Sequence, residues 1–226
     1  TNTWDLPTYV ALASMAVVWA QVRRRGKIDF VMMVRSAGRV MFLMILVGLL
    51  YLPYATWYGS SYSAVELWRG STTPLSAYLK IHGLFLFIVV SFFVTETRLW
   101  ILSVSVHEVW EKKELRVAAI ATSLTLLVVI LLLLFGGVQI APLVLGLLAW
   151  ASLLLLSPQQ TTEKRVALVL VSLALLLTLV VELVRLEGDI SRMNTVFKFY
   201  LQAWTLLSVG AGAGVVWVWQ RLSEWR

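Results

Sequence analysis

The sequence contains no cysteine, which excludes disulfides, thiolate metal sites and cysteine nucleophiles. Imidazole is almost as scarce. His82 and His107 are the two histidines, too few for a haem or pigment array held on axial histidines. Charged residues make up 14% of the chain, against about 25% in ordinary soluble domains. The net charge of +7 does not gather into one basic face. Its lysines and arginines stand at the ends of apolar segments, the pattern of membrane topology rather than of nucleic-acid binding.

What is abundant is hydrocarbon. Hydrophobic residues fill 60% of 226 positions and mean hydropathy is +0.84, more than a water-soluble fold can bury. A bilayer-spanning helix needs about 20 predominantly apolar residues. The sequence offers about seven such stretches: Leu6–Gln21, Val34–Leu52, Leu79–Leu102, Val117–Phe135, Ile140–Leu156, Val166–Val184 and Val196–Gln220. The expected class is all-α, a polytopic transmembrane helix bundle forming one integral membrane domain over residues 1–226. Pro53 is expected to close the second span. Arg35 and Arg39, one turn apart at its start, are expected to snorkel to headgroups.

Cytoplasmic loops of membrane proteins carry the excess of Lys and Arg. Alternate loops hold 14 basic residues on one side, including Arg23 to Arg25, Lys164 and Arg165. They hold 5 on the other: Arg69, Lys80, Arg185, Arg192 and Lys198. The N-terminus is therefore expected outside and the C-terminus in the cytoplasm.

Three segments then meet at the external face. The entry, Asn2 to Tyr9, contains Asp5, which either caps the first helix or acts as an external carboxylate. The loop from Pro53 to Tyr78 is rich in aromatics, among them Trp57, Tyr58 and Trp68. They serve either as an interfacial belt or as stacking surfaces for a sugar ring. The third segment leads into the last span and carries Glu182, Arg185, Asp189, Arg192 and Asn194 to Tyr200. Asn194, Lys198 and Gln202 recur every four residues and so share one helical face. Arg192 and Lys198 either clamp a phosphate, by fork and by point charge, or pair with Asp5, Glu182 or Asp189. His82 is expected to be packing rather than an axial ligand. The run from His107 to Glu114 reads as a solvated charged helix. It lacks the second histidine of a metalloprotease helix. Gly210, Gly212 and Gly214 form a small-residue face for close helix approach. Apolar mid-sections in the fourth to sixth spans argue against transport.

The stretches Asn2-Thr3-Trp4-Asp5-Leu6-Pro7-Thr8-Tyr9, Tyr51-Leu52-Pro53-Tyr54 and Arg192-Met193-Asn194-Thr195-Val196-Phe197-Lys198-Phe199-Tyr200 resemble the YYY family of uncharacterised prokaryotic membrane proteins. That family is similar in layout to the GT-C glycosyltransferases, which take sugar from a polyprenyl-phosphate carrier at the external membrane face. The resemblance implies a multi-pass protein of the prokaryotic cell membrane. It implies Asp5 or Asp189 as the catalytic carboxylate, acting as base or holding a divalent metal. It also implies Arg192 and Lys198, with Asn194 and Gln202, at the lipid phosphate, and Trp57, Tyr58 and Trp68 at the sugar. Such enzymes carry their principal acidic motif in the first external loop, upstream of what is present here, so the chain is expected to be the C-terminal portion of a longer protein. The alternative is a noncatalytic structural subunit packed against other membrane proteins.

Overall fold

The computed structural model describes residues 3–57, 64–103 and 113–222, which form seven α-helices and one short two-stranded ribbon. Chain contacts divide the molecule into two compact units, Thr1–Ala64 and Val65–Arg226.

The first unit is a helical hairpin of α1 (Leu6–Arg25) and α2 (Phe30–Trp57). Its turn follows from local chemistry. Gly26 closes α1 with φ of 67°, a left-handed conformation that costs glycine nothing. Its N–H returns to the Val22 carbonyl at 2.9 Å. Three residues later the Asp29 carboxylate accepts the Met32 N–H at 2.7 Å and caps α2, as an N-cap acid does. Arg25 pairs with the same carboxylate at 2.9 Å. The Met32 amide, ahead of Arg25 and Lys27, holds the Asp29 pKa below its ordinary value.

Two sequence expectations are revised here. Helix α2 begins at Phe30 rather than Val34, because the Asp29 cap sets its start. Pro53 does not end it; the helix continues one turn to Trp57. Proline has no N–H to give the carbonyl four residues back and its ring crowds that carbonyl, yet residues 54–57 stay helical beyond it.

The second unit contains β1 (Val65–Leu67), α3 (Leu75–Ser103), α4 (Lys113–Phe135), α5 (Ala141–Leu156), α6 (Thr162–Leu183), β2 (Val184–Leu186) and α7 (Met193–Arg221). Helices α2, α3, α6 and α7 are long and apolar enough to cross a membrane; α5 and the apolar part of α4, Ala119–Phe135, are shorter. The core lies where α3, α5, α6 and α7 converge. Phe92, Phe93, Val144, Leu175 and Leu207 are buried there, while Leu84, Phe87 and Leu132 point outward as a lipid-facing surface does.

Small residues set the helix spacing. A Cβ at Gly210 would stand 2.7 Å from Val171 Cγ2 of α6, and one at Gly214 would meet Phe92 and Ile88 of α3. Gly212 has open space around it. The small-residue face is therefore used within the chain by Gly210 and Gly214, which allow α6 and α3 to lie close to α7.

The fold departs from purely helical at one place. β1 pairs antiparallel with β2, Glu66 opposite Arg185, and the Trp68 N–H extends the ribbon to the Leu183 carbonyl at 2.8 Å. This ribbon ties the segment before α3 to the segment between α6 and α7. The α4–α5 turn joins the same end: Thr72 Oγ1 donates to the Gly137 carbonyl at 2.7 Å, and the Leu75 N–H to Gln139 Oε1 at 3.2 Å. At the opposite end, Lys164 Nζ meets Glu96 Oε1 at 2.6 Å and Gln160 Nε2 meets Glu96 Oε2 at 3.0 Å. The loops of this unit thus alternate between two ends, as helices crossing a bilayer require.

Candidate functional site

The ribbon end of the second unit concentrates buried polar chemistry. Glu182 lies in the last turn of α6 with no exposed side-chain surface. An isolated carboxylate there would be costly, and its surroundings meet that cost with three donors. Thr73 gives its N–H to Oε2 at 2.7 Å and its hydroxyl to Oε1 at 2.6 Å. Arg192 Nη1 pairs with Oε1 at 2.9 Å, with only 11% of the arginine side chain exposed.

Arg192 is held on further sides. Nη1 also donates to the Val181 carbonyl at 2.7 Å, and Nη2 donates to Thr73 Oγ1 at 3.0 Å. Thr73 thus donates to the carboxylate and accepts from the guanidinium, closing a ring of three side chains from three segments. Of the partners expected for Arg192, the structure selects Glu182.

Asp189 sits in the loop before α7, between Gly188 and Ser191, whose φ values are 80° and 59°. Its two oxygens accept four hydrogen bonds. Asn194 gives its N–H at 3.2 Å and its amide at 3.1 Å. Thr195 gives its N–H at 2.8 Å and its hydroxyl at 2.7 Å. Asp189 therefore satisfies the otherwise orphaned N–H groups that open α7. Burial pushes its pKa up, but the donors on Thr195 and Asn194 outweigh that and hold it below the usual carboxylate value. Thr195 also accepts the Leu186 N–H at 3.0 Å, so the helix start and the ribbon are fixed together.

Above this ring lies Trp68. Its indole N–H is anchored on the Ser71 carbonyl at 2.9 Å. The Arg185 and Arg192 guanidinium carbons lie over the ring at 5.6 Å and 5.8 Å, within cation–π range. Arg185 is the more accessible cation, 31% exposed, and its Nε pairs with Glu66 at 2.7 Å. Gly70 is required here, since a Cβ on it would overlap the Trp68 indole.

Below the ring, Tyr78 of α3 meets Thr178 of α6 at 3.0 Å. His82 packs between Tyr78 and Tyr200 at centroid distances of 4.7 Å and 4.8 Å, with Trp204 beyond at 6.4 Å. His82 is fully buried. It is packed as expected, yet neither ring nitrogen has a hydrogen-bond partner among the described residues.

The sequence candidates separate accordingly. Trp68, Arg192, Asp189 and Asn194 stand at this end. Lys198 and Gln202 follow on α7, Lys198 half-buried and Gln202 buried, so their shared face runs from the helix start into the bundle. Asp5 and Trp57 belong to the first unit. Asp5 precedes α1 but makes no side-chain capping bond, and Trp57 is 88% exposed. Tyr58 and residues 107–112 of the charged run lie outside the described residues. Among the described residues no three of His, Asp and Glu come together to hold a metal. Sequence reading missed Thr73, although Thr72-Thr73-Pro74 ahead of an apolar run carries the hydroxyl and proline signals of a helix start.

Comparison with curated proteins and with solved structures returns no match. Residues 1–207 match the family described as "Uncharacterized membrane protein (DUF2298)". With a bundle of bilayer-length apolar helices matched over most of its length, this chain belongs to the DUF2298 family of membrane proteins.

Proposed function

We propose that the protein binds a polyprenyl-phosphate sugar at the external face of a prokaryotic cell membrane and belongs to a glycosyl-transfer system of GT-C layout. The observation that carries this reading is the ribbon end of the second unit. There a guanidinium pair stacks on the Trp68 indole, and Lys198 follows on the adjoining face of α7. Guanidinium and ammonium groups beside an aromatic surface suit a sugar linked to phosphate.

In this reading Arg192 is set by Glu182 and Thr73, and Lys198 and Arg185 supply the charge that reaches the lipid phosphate. Asp189, spent on four donors, organises the start of α7. The Asp5 carboxylate of the first unit is the general base that the family resemblance implies, with or without a divalent metal. The excess of basic residues in the opposite loops supports the external placement of the site.

The test is binding of a radiolabelled polyprenyl-phosphate sugar to protein in nanodiscs. Lys198→Ala should abolish binding while the helical circular dichroism shows the protein still folded. Wild-type affinity in that variant would refute the assignment. Asp5→Asn should leave binding intact and stop transfer to an acceptor.

A second reading, a noncatalytic subunit of a larger membrane assembly, is favoured by α2. Of its 28 residues only Met32 and Ser36 are buried, which leaves a long apolar surface for lipid or for a helix of another membrane protein. Co-migration of the natively extracted protein with other membrane polypeptides in a blue-native gel, without binding of the lipid sugar, would favour that reading.

A further inference from the structure

Helix α2 of the first unit carries two arginines inside its apolar run. Arg35 and Arg39 are one turn apart and both exposed, with Cβ atoms about 5–6 Å apart on one helical face. Among the described residues neither has a hydrogen-bond or ion-pair partner, whereas Arg25 and Lys27 of the preceding turn both reach Asp29. Gly38 lies beside them, with open space where a Cβ would stand. Phe42, Leu46 and Leu50 continue the same face away from the turn, exposed at 63%, 38% and 76%. The face is thus a cationic notch at one end and hydrocarbon beyond it.

We propose that this face binds one anionic phospholipid from the leaflet that meets the α1–α2 turn. Arg35 and Arg39 bridge its phosphodiester, and an acyl chain lies along Phe42, Leu46 and Leu50. Residues 40–50 give eleven apolar positions before the Tyr51–Tyr54 aromatic pair, short of the roughly 20 that a span needs. The span therefore takes in both arginines. Charge inside a span is costly unless it is paired, so two cations without a partner in the chain call for one outside it. Side chains on a helix lean towards its N-terminus, which here is the basic turn. Arg35 and Arg39 start about 8 Å and 13 Å along the axis from Phe30, and both guanidinium groups are carried back towards the headgroups. Two forks one turn apart suit the oxygens of a single phosphate. Clustered basic residues beside a span favour lipid of net negative charge, since the ammonium of a zwitterionic headgroup competes for its own phosphate. This site belongs to the first unit and does not rest on the function proposed for the ribbon end.

The experiment is native mass spectrometry of detergent-purified protein titrated with phosphatidylglycerol, with phosphatidylcholine and glycerol phosphate as controls. Wild type is expected to retain one phosphatidylglycerol in preference to phosphatidylcholine. Arg35→Gln and Arg39→Gln should each weaken that adduct by about tenfold or more, the worth of a hydrogen bond to a charged group. Neither strands a partner, so both are expected to keep the helical circular dichroism of wild type. Gly38→Leu, which fills the notch, should weaken the adduct with both arginines present. Lys80→Gln, an equal loss of charge on α3, should leave it unchanged. Unchanged affinity in both arginine variants would overturn the proposal, as would an equal loss in Lys80→Gln, which would reduce the preference to overall charge. Equal competition by glycerol phosphate would overturn the acyl seat. A membrane polypeptide that co-purifies with wild type and is lost from the Arg35→Gln, Arg39→Gln double variant, with no preference among lipids, would replace the lipid by a protein carboxylate.

Discussion

The buried Glu182–Arg192–Thr73 ring makes a sharp energetic prediction. Replacing Glu182 by Ala leaves a guanidinium only 11% exposed without its counter-charge, and strands the Thr73 N–H and hydroxyl. Removing one partner of a buried pair costs about 3–5 kcal/mol. The stranded donor adds to this, though not in full, because the three groups form one network. A loss near the upper end of that range is expected. Glu182→Gln keeps an acceptor for Thr73 but not the charge, and should fall only slightly short of it. The double variant Glu182→Met with Arg192→Met removes both charges into apolar surroundings and should recover most of the loss. The assay is reversible unfolding in mixed micelles of increasing denaturing-detergent fraction, followed by circular dichroism. If Glu182→Ala costs less than about 1 kcal/mol, the value of an exposed pair, the ring does not exist as described and the ribbon end is solvated.

Three further outcomes follow from other contacts. The folded-state pKa of Asp189 is depressed, so its contribution to stability is complete above the unfolded carboxylate value of about 3.9. It disappears as pH falls through the lower folded value; Asp189→Asn should remove that acid limb from a plot of melting temperature against pH. Gly210→Leu should prevent α6 and α7 from closing, because its Cβ already meets Val171 at 2.7 Å. Gly212→Leu, with open space around it, should melt within a degree or two of wild type, as exposed substitutions do. Gly70→Ala should displace the Trp68 indole and destabilise the ribbon by about 1–3 kcal/mol, the usual cost of overpacking, measured in the same micelle titration.

The helices were legible because their signal is long and redundant. Leu79–Leu102 reads as a span from about 20 apolar residues, and the structure finds α3 over Leu75–Ser103. Their ends were less so, since an end depends on one or two hydrogen bonds: the Asp29 cap starts α2 four residues early, and Pro53 falls inside the last turns rather than after them. The ribbon was not legible. Its two strands have three residues each and pair across 119 positions, and three residues carry no alternation that distinguishes strand from loop. Arg192 was legible as a residue that either clamps a phosphate or pairs with Asp5, Glu182 or Asp189, and its burial was not. The choice of Glu182 over Asp189 depends on Thr73, whose position in space follows from the ribbon.

The same logic operates at both ends of the second unit. Glu96 and Glu182 are carboxylates near opposite ends of apolar helices, each buried, and each answered by a cation from a connecting segment or the helix start beyond it, Lys164 and Arg192. Each is also held by a neutral donor, Gln160 at one end and Thr73 at the other. In a bilayer the packing of apolar helices gains little from the hydrophobic effect, because lipid is as apolar as leucine. Register between helices therefore depends on groups that cannot be left in lipid. A charged residue inside an apolar run is thus evidence of a partner before it is evidence of chemistry. At the ribbon end Glu182, Asp189 and Arg192 are each held by partners within the chain, and even the more exposed Arg185 is paired with Glu66, so these charges fix the fold there before they can serve a ligand.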